Sequence, residues 1–328
     1  MEEKEELCFP QLSNLSCRKP SSSSLEVMTI RVVMSSIALL TVALNLLVII
    51  AISHFRQLHT PTNILLLSLA VSDFLVGLLQ MPVEIFRKTS CWFFGDYICF
   101  LCNFIPFIIT SASIGDMVLI SVDRYVAVCD PLRYSSRITE RRVKVCVCLC
   151  WLCSVCYNTF ILNNNFRHPG IHSSCYGECV VVLNFIEGTV DLVVTFIAPI
   201  SAIIVLYVQV FAAAVTQARA QRSRVTAIRV KLSVSVTAKK SELKAAITLG
   251  VLVVVYLICF CPFFSLVLSG HSLLRTWFVS FVIFLFFFNS CLNPLIYTLF
   301  YPWFRKALRL IVTLQILQPG SSNAKILR

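Results

Sequence analysis

The sequence predicts an all-α membrane protein, a seven-transmembrane helix bundle followed by a short amphipathic eighth helix. The chain has 328 residues, of which 58% are hydrophobic and only 13% charged, whereas about a quarter of the residues of a soluble domain are charged. Its apolar residues form blocks long enough to cross a bilayer as helices. Blocks of this length exclude the strands of a membrane β-barrel, which alternate apolar and polar residues over about ten positions. Helices are then the structure that satisfies the backbone hydrogen bonds in lipid.

The apolar blocks follow one another through short connections, except for a loop at 164–180 and a basic segment at 215–244. The seven blocks lie at 27–52, 62–86, 97–123, 143–163, 181–214, 245–269 and 273–300. Each block is longer than the roughly 17 residues that a spanning helix needs, so each is predicted to cross the membrane once.

The blocks divide the chain into three parts. The amino-terminal tail at 1–26 is polar and rich in serine, the seven-helix domain spans 27–303, and residues 304–328 form the carboxyl-terminal part. The last part begins with FRKALRLIV, whose apolar and basic residues follow helical spacing. This pattern is typical of an amphipathic helix that lies on the inner leaflet, and we expect a short disordered end after it.

The basic residues predict the orientation of the chain. Only eight of its 28 Lys and Arg residues lie on the side of the bundle that carries the amino terminus, and cytoplasmic loops are enriched in Lys and Arg. We therefore expect a plasma-membrane protein with its amino terminus outside the cell. The +12 net charge would lie mostly at the cytoplasmic face, where anionic membrane lipids and a cytosolic partner explain it better than nucleic acid does.

Two further features concern the outer side. Asn14 begins an Asn-Leu-Ser acceptor for N-glycosylation. Most of the sixteen cysteines lie inside the predicted spans, where we expect small buried hydrophobic residues. Six lie at the outer rim, where the compartment permits disulfides, namely Cys8, Cys17, Cys91, Cys99, Cys175 and Cys179.

The sequence lacks the motifs of several other classes of protein. No cysteine has zinc-type spacing with histidine, and no phosphate-binding loop, Ser-His-Asp order or metalloprotease helix indicates an enzyme. A transporter or channel would show internal repeats or an ionisable relay across the membrane. We find neither in the sequence.

Four local patterns occur at fixed places in this order of spans. Asp123-Arg124-Tyr125 closes the third block, Asp73 lies in the middle of the second, Trp151 lies in the fourth, and NPLIY from Asn293 to Tyr297 ends the seventh. Together, and over nearly the whole length, they resemble the rhodopsin-like G-protein-coupled receptors.

A narrower resemblance comes from the end of the seventh block. NSCLNPLIYTLFYPWF, at 289–304, is similar to the extended seventh-helix fingerprint of the trace amine-associated receptors, as are CWFFGD at 91–96 and the pattern Cys175-Tyr-Gly-Glu-Cys179. The resemblance implies an amine-sensing receptor, olfactory in most members and greatly expanded in fish. It also implies signalling through a stimulatory heterotrimeric G protein to cyclic AMP, in the cilia of sensory neurons.

The chain departs from aminergic receptors at the position of the ligand's usual counter-ion. These receptors have an aspartate in the third helix eighteen residues before the arginine of the DRY motif, and here that position is Pro106. Asp191 lies in the fifth block, in GTVDLVVTFIAP at 188–199. By the family pattern it reaches the same cavity level from a neighbouring wall, an arrangement that resembles a subset of fish members.

Asp191 is therefore predicted to pair with the ligand's ammonium group. A protonated amine must lose water to enter an apolar cavity, and a carboxylate offsets this loss through a charge-assisted hydrogen bond. The alternative is a structural aspartate, paired with a neighbouring helix or facing headgroup water, in a receptor for a non-amine ligand. Acids inside a span are functional by default, which favours the first interpretation.

Other candidate ligand contacts surround Asp191. Glu187, one helical turn nearer the outside, could take a second ammonium of a diamine, guide cations inward, or lie at the water interface. With Glu84, Asp96 and Glu178 it would make the outer rim acidic, which would raise the local concentration of cations. Aromatic faces attract ammonium ions, and the candidate wall residues are Phe107, Phe263, Phe264 and Phe287, with Thr110 and Thr195 as hydroxyl partners.

The resemblance also implies the parts that transmit a signal. One part is the polar cluster that commonly holds a sodium ion, the only cofactor we expect. Its residues here are Asp73, Ser113, Asn289 and Asn293.

The activation switch is a second part that the resemblance implies. Arg124 would pair with Asp123 and with Glu242 at the inner start of the sixth helix, and the sixth helix would pivot at Pro262. Tyr125 belongs to the same DRY motif. Pro294 and Tyr297 belong to the seventh-helix motif, in which Tyr297 would swing inward in the open state.

Asp116 has no counterpart in the family pattern, and we expect a hydrogen-bonded structural role for it.

The resemblance further implies two disulfides. Cys99, at the head of the third helix, would bridge Cys179, and Cys175 would then pair with Cys17 in the tail. Cys8 and Cys91 are left over and could pair with each other or stay free.

Overall fold

The structure is a computed structural model that describes residues 7–12, 15–18, 25–170, 173–227, 250–251, 253–266, 276–324 and 326. Within these residues, six helices are long and apolar enough to cross a membrane, and a shorter apolar helix, Val253–Leu266, lies in the sixth predicted block. The seven-helix membrane bundle predicted from the sequence is thereby confirmed.

The helices are numbered here in chain order. They are α1 at Leu25–His54, α2 at Pro61–Thr89, α3 at Asp96–Cys129, α4 at Glu140–Ile161, α5 from Phe185–Leu192 through Val193–Ile197 to Ala198–Ala227, α6 at Val253–Leu266, α7 at Thr276–Phe300 and α8 at Pro302–Val312. Short helices at Pro131–Arg137 and Asn163–Arg167 lie in the connections on either side of α4.

Polar caps define where several spans begin. The Thr60 side chain accepts a hydrogen bond from the Asn63 N–H at 3.3 Å, with Pro61 as the first residue of α2. Thr139 caps α4 in the same way. Such caps satisfy backbone N–H groups that have no partner inside the helix, so they fix the start of the helix more sharply than the apolar pattern does.

Prolines change the winding of two spans. A wide π-type turn at Val76–Gln80 precedes Pro82 in α2, and another at Val193–Ile197 precedes Pro199 in α5. A proline lacks the N–H donor and crowds the preceding turn, and the wider turn relieves this crowding. The α5 turn begins two residues after Asp191. By contrast, α3 continues without interruption past Pro106.

Hydrogen bonds between buried polar side chains join the centre of the bundle. Asn45, on α1, donates to the Ser290 carbonyl oxygen of α7 at 3.0 Å. The Trp151 indole N–H donates to the Ser68 hydroxyl at 3.0 Å, and that hydroxyl donates to the Asp116 Oδ2 atom at 2.6 Å. Asp116 thus links three helices in the hydrogen-bonded role that we expected for it.

The cysteines of α4 differ from the sequence-based expectation. Cys146, Cys148, Cys153 and Cys156 are exposed on the surface of the bundle, and only Cys150 is half-buried. Because α4 is packed at the periphery, most of its surface faces outward, where lipid would lie. Apolar character predicted the span correctly, but it does not tell which face of the span is covered.

Three disulfides tie the amino-terminal face together. Cys99 is joined to Cys179, and the two tail disulfides are Cys17–Cys175 and Cys8–Cys91. The first two pairs are those that the resemblance implies, and the third settles the question left open for Cys8 and Cys91. Asn14 lies outside the described residues.

The carboxyl-terminal end also differs from its expected disorder. After α8 the chain reverses at Leu314, whose φ of 57° is in the left-handed region. Ile326 is only 2% exposed, and its N–H donates to the Gln57 Oε1 atom at 3.0 Å. Ser321 lies 2.9 Å from the His54 ring, between Oγ and Nε2. The segment at 315–324, together with Ile326, therefore docks on the end of α1 and the connection that follows it.

Replacing Ile326 by aspartate should release this docked segment. Burial of an isoleucine is worth about 1.5–3 kcal/mol, and a buried unpaired charge adds a penalty. Hydrogen exchange of the amides in this segment, followed by mass spectrometry on the protein in nanodiscs, should become about tenfold faster or more. The matched control is Leu317→Asp, since Leu317 is 77% exposed. Equal exchange in the Ile326→Asp variant and the wild type would contradict the docking.

Candidate ligand-binding site

A cavity of about 210 Å³ lies between the helices in the half of the bundle that carries the amino terminus. Residues of α2, α3, α5, α6 and α7 line it. They are Gln80, Glu84, Pro106, Phe107, Thr110, Ser111, Asp191, Thr195, Phe263, Phe264, Ile283, Phe286 and Phe287. Most of this wall is apolar, with a few polar groups, as in most small-molecule sites.

The structure brings together all but one of the ligand contacts predicted from the sequence. Glu187 is absent from the lining of the cavity. The predicted contacts that do line it are Phe107, Thr110, Asp191, Thr195, Phe263, Phe264 and Phe287. Sequence reasoning missed Gln80, Ser111, Ile283 and Phe286, and it placed Glu84 only at the outer rim. Helical spacing could have found several of them, because Ile283 lies one turn before Phe287 and Ser111 one turn after Phe107.

Asp191 presents its carboxylate to the cavity from α5. Its Oδ1 atom accepts a hydrogen bond from the Tyr157 hydroxyl of α4 at 3.2 Å. The Thr195 hydroxyl donates to the Asp191 carbonyl oxygen at 2.7 Å, across the wide turn. Asp191 has no ion pair with any cationic side chain that the structure describes. One hydrogen bond to a phenol leaves most of the charge of this carboxylate uncompensated.

Glu187 has a different task at the start of α5. The Glu187 N–H donates to the Asn184 Oδ1 atom at 2.9 Å, and the Glu187 Oε2 atom accepts from the Asn184 N–H at 3.0 Å. This reciprocal pair is a capping box. The carboxylate therefore points to the helix end and not into the cavity.

Glu84 is the second carboxylate in the cavity wall. Its oxygens lie 3.6 Å from the Arg87 Nη1 atom and 4.0 Å from the Lys88 Nζ atom. Arg87 also donates to the Asn103 Oδ1 atom at 3.0 Å. Two cations of its own helix thus balance the charge of Glu84, which leaves Asp191 as the stronger site for a cation from outside the protein.

Aromatic rings connect the cavity to the interior of α6. Phe264 stacks on Phe196 with ring centroids 4.0 Å apart, and Phe263 contacts Phe286 at 4.7 Å. Phe286 also contacts Phe260 at 4.7 Å, and Phe260 stacks on Tyr256 at 4.2 Å. Pro262 belongs to the same stretch of α6. A ligand that displaces Phe263 or Phe264 therefore pushes on rings that reach the centre of the helix.

The polar cluster below the cavity has the chemistry of a site for a hard cation. Asn293 donates to the Asp73 Oδ2 atom at 2.7 Å, and Ser113 and Asn289 are also buried. Asp73 Oδ1 and Asn289 Oδ1 are buried without a hydrogen-bond partner among the described residues. Buried oxygen atoms without partners and an oxygen-only donor set fit a sodium ion, for hard cations prefer oxygen ligands.

A second polar cluster lies at the other end of α3. The Asp123 carboxylate accepts hydrogen bonds from the Arg124 guanidinium at 2.9 Å, the Thr62 hydroxyl at 2.9 Å and the Tyr134 hydroxyl at 2.8 Å. Arg124 contacts Thr62 as well. Burial and the neighbouring Asp123 carboxylate raise the pKa of Tyr134 above its usual value, so this phenol stays a proton donor. The cluster joins α2, α3 and the short helix at Pro131–Arg137.

The remaining predicted switch residues surround this cluster. Tyr125 packs beside Val128 and Val210 of α5. Pro294 lies inside α7, and Tyr297, one turn later, is fully buried with its ring 6.1 Å from that of Tyr301. Glu242 lies outside the described residues.

Comparison with known proteins agrees with this architecture. Residues 44–297 match the family described as 7 transmembrane receptor (rhodopsin family). The chain is 36% identical to trace amine-associated receptor 13c of Danio rerio, over 98% of this chain and 96% of the relative. It is 35% identical to trace amine-associated receptor 1 of Homo sapiens (95% and 96% covered) and 40% identical to trace amine-associated receptor 5 of Rattus norvegicus (88% and 86%).

These relatives match nearly the whole chain at identities that establish a family. The seven-helix fold and the cavity in its amino-terminal half are in accord with that relationship. The chain therefore belongs to the trace amine-associated receptors of the rhodopsin family, and it is a multi-pass membrane receptor with a small-molecule ligand and a heterotrimeric G protein as its partners rather than an enzyme.

Proposed function

We propose that this receptor senses amines and that the ammonium group of the ligand pairs with Asp191. The observation that carries the proposal is the carboxylate of Asp191 in the cavity wall, with one hydrogen bond from Tyr157 and no ion pair within the described part of the chain. A carboxylate inside a span is costly without a partner. A protonated amine supplies the missing charge and regains hydrogen bonds that it loses with its water.

The position of Pro106 supports a counter-ion on α5. Pro106 and Asp191 line the same cavity from α3 and α5. Proline can neither ionise nor donate a hydrogen bond, so the α3 wall offers no charge at that place. An amine that enters this cavity meets its carboxylate on the α5 wall instead.

The size and lining of the cavity favour a small amine. A volume of about 210 Å³ is below the roughly 300–1,000 Å³ of sites for drug-sized ligands. Phe107, Phe263 and Phe264 supply aromatic faces, which attract both an ammonium ion and the carbon chain attached to it. Thr110 and Ser111 add hydroxyl groups on the α3 wall.

A receptor for a non-amine ligand is the alternative. In that case Tyr157 would be the structural partner of Asp191. The Tyr157 hydrogen bond is weak support for this alternative, because it engages one carboxylate oxygen at 3.2 Å and brings no positive charge.

The signal would pass from the cavity to a stimulatory G protein and raise cyclic AMP. In the resting state the Asp123–Arg124 pair, together with Thr62 and Tyr134, would hold the inner ends of α2 and α3 together. Movement of α6 about Pro262 would open a groove for a G-protein helix, and Tyr297 would help to hold the open state. A sodium ion held by Asp73, Ser113, Asn289 and Asn293 would favour the resting bundle by compensating the Asp73 carboxylate.

We further propose that the amino terminus lies outside the cell, in the plasma membrane of olfactory sensory cilia. The three disulfides of the amino-terminal face support this orientation, because disulfides persist in oxidising compartments and not in the cytosol. Asn14 would carry a glycan in this topology.

Asp191→Asn should abolish most of the response to amines. The change keeps the shape and the hydrogen-bonding capacity but removes the charge, and losing a desolvated charge pair costs about 2–5 kcal/mol, so potency should fall about thirtyfold or more. Concentration–response curves of cyclic AMP against a panel of amines measure this at matched surface expression. Glu187→Gln is the control and should change potency little, because glutamine can still accept the capping hydrogen bond. Unchanged potency of the Asp191→Asn receptor would make the aspartate structural.

Tyr157→Phe tests the supporting contact separately. A hydrogen bond to a charged group contributes about 1.5–3 kcal/mol, part of which the bound ammonium replaces. The variant should therefore lose less potency than Asp191→Asn, by about threefold to tenfold. In the double variant Tyr157→Phe with Asp191→Asn the two losses should not add. Full additivity would show that Tyr157 acts independently of the aspartate.

Tyr134→Phe should raise signalling in the absence of ligand. It removes one of the hydrogen bonds that hold Asp123 beside Arg124 and shifts the resting equilibrium by about tenfold. Basal cyclic AMP, normalised to surface receptor, is the measurement. Tyr97→Phe is the matched control, since Tyr97 lies at the opposite end of α3 and is 69% exposed. Basal activity equal to that of the wild type would contradict the restraining role of this cluster.

A further inference from the structure

The amino-terminal face carries a second cavity, of about 460 Å³. Its walls come from the amino-terminal tail, the connection between α2 and α3, and the loop between α4 and α5. Within the described chain it shares no lining residue with the α5 cavity. The two cavities are therefore separate sites.

The second cavity has rigid walls. The two tail disulfides anchor the tail to both connections that form the wall. The backbone N–H of Trp92 donates to the Gly177 carbonyl oxygen at 2.9 Å, and the backbone N–H of Tyr176 donates to the Leu15 carbonyl oxygen at 2.7 Å. A site with preformed walls binds a ligand without the entropic cost of ordering loops.

Aromatic side chains form the apolar part of the wall. Trp92 is nearly buried, and its indole N–H donates to the Gly95 carbonyl oxygen at 2.9 Å. Phe93 and Tyr176 are 63% and 60% exposed, and Phe9 of the tail lies with them in the wall. Exposed aromatic faces around a cavity are a typical site for an organic cation.

Two carboxylates give the cavity a negative charge. The Glu178 Oε2 atom accepts hydrogen bonds from the Ser174 N–H at 3.0 Å and its hydroxyl at 2.6 Å, which orients the carboxylate. The Asp96 carboxylate packs against Gly170, where a Cβ atom would come within 2.6 Å of it. No Lys or Arg belongs to the described lining, so the described wall itself brings no positive charge into the cavity.

We propose that this second cavity binds an organic cation whose ammonium group lies between the carboxylates and the aromatic rings. At about 460 Å³ against about 210 Å³, it accommodates a bulkier cation than the α5 cavity does. Alkylammonium compounds with several carbon chains combine the required charge with apolar surface. This inference concerns different residues from Asp191 and does not rest on the proposed function.

The test measures binding of tetrapropylammonium to the purified full-length receptor in nanodiscs of neutral lipid. Trp92 in the cavity wall reports binding through its fluorescence, and sodium chloride at the same concentration controls for ionic strength. We expect a saturable change in the wild type, the same midpoint in Asp191→Asn, and no saturable change in Trp92→Phe. Asp96→Asn and Glu178→Gln should each weaken binding about threefold to fivefold, and together about tenfold.

Both acid variants are designed to fold. Asparagine is favoured near helix starts, where Asp96 lies, and glutamine at 178 still accepts the hydrogen bonds of Ser174. Glu140→Gln, an exposed acid at the far end of the bundle, is the matched control and should bind as the wild type does. An unchanged midpoint in the Asp96→Asn, Glu178→Gln double variant, or loss of binding in Asp191→Asn, would overturn the proposal.

Discussion

Carboxylates inside a helix bundle need compensation, because neither lipid nor packed side chains solvate a charge. The bundle meets this need in a different way at each level. Asp123 is compensated by Arg124 and hydroxyl groups at one end, and Asp73 is tied to Asn293 in the middle. Near the other end the side chain of Asp191 is bonded, within the described part of the chain, to the Tyr157 phenol alone. The same physical requirement thus accounts for an ion-paired cluster at one end, for buried oxygen atoms that suit a hard cation in the middle, and for a carboxylate bonded to a phenol near the other end.

The sequence predicted the spans well because the length and apolarity of a spanning helix follow from the thickness of the bilayer. It predicted the ends less well. The third apolar block ends at residue 123, whereas α3 continues past Arg124 to Cys129. Glu187 was a candidate ligand contact because it lies one turn from Asp191, but its role depends on where α5 begins, which the capping residue Asn184 decides. Such local contacts change the function of a residue without changing the pattern around it.

Contacts between distant parts of the chain were the least predictable. Ile326 and Gln57 are 269 positions apart, and their hydrogen bond orders a segment whose composition alone suggests disorder. Glu84 was assigned to the rim by its place in the sequence, while the structure puts it in the cavity wall with its charge already balanced. The cavity-lining residues on α3, α5, α6 and α7 could be predicted because a family pattern fixes their depth. The positions of the lining residues between these fixed points do not follow from the family pattern and had to be seen in the structure.

The exposed sulfur atoms of α4 affect how this receptor can be studied. Spectroscopic work on receptor activation attaches a probe to a cysteine of a moving helix and follows its environment. In this chain Cys261 of α6 is half-buried, whereas four thiols of α4 are exposed. A maleimide or an iodoacetamide reagent that partitions into lipid would react with α4 before it reacts with α6. Site-specific labelling of α6 therefore first requires that the four exposed α4 cysteines be replaced by alanine or valine.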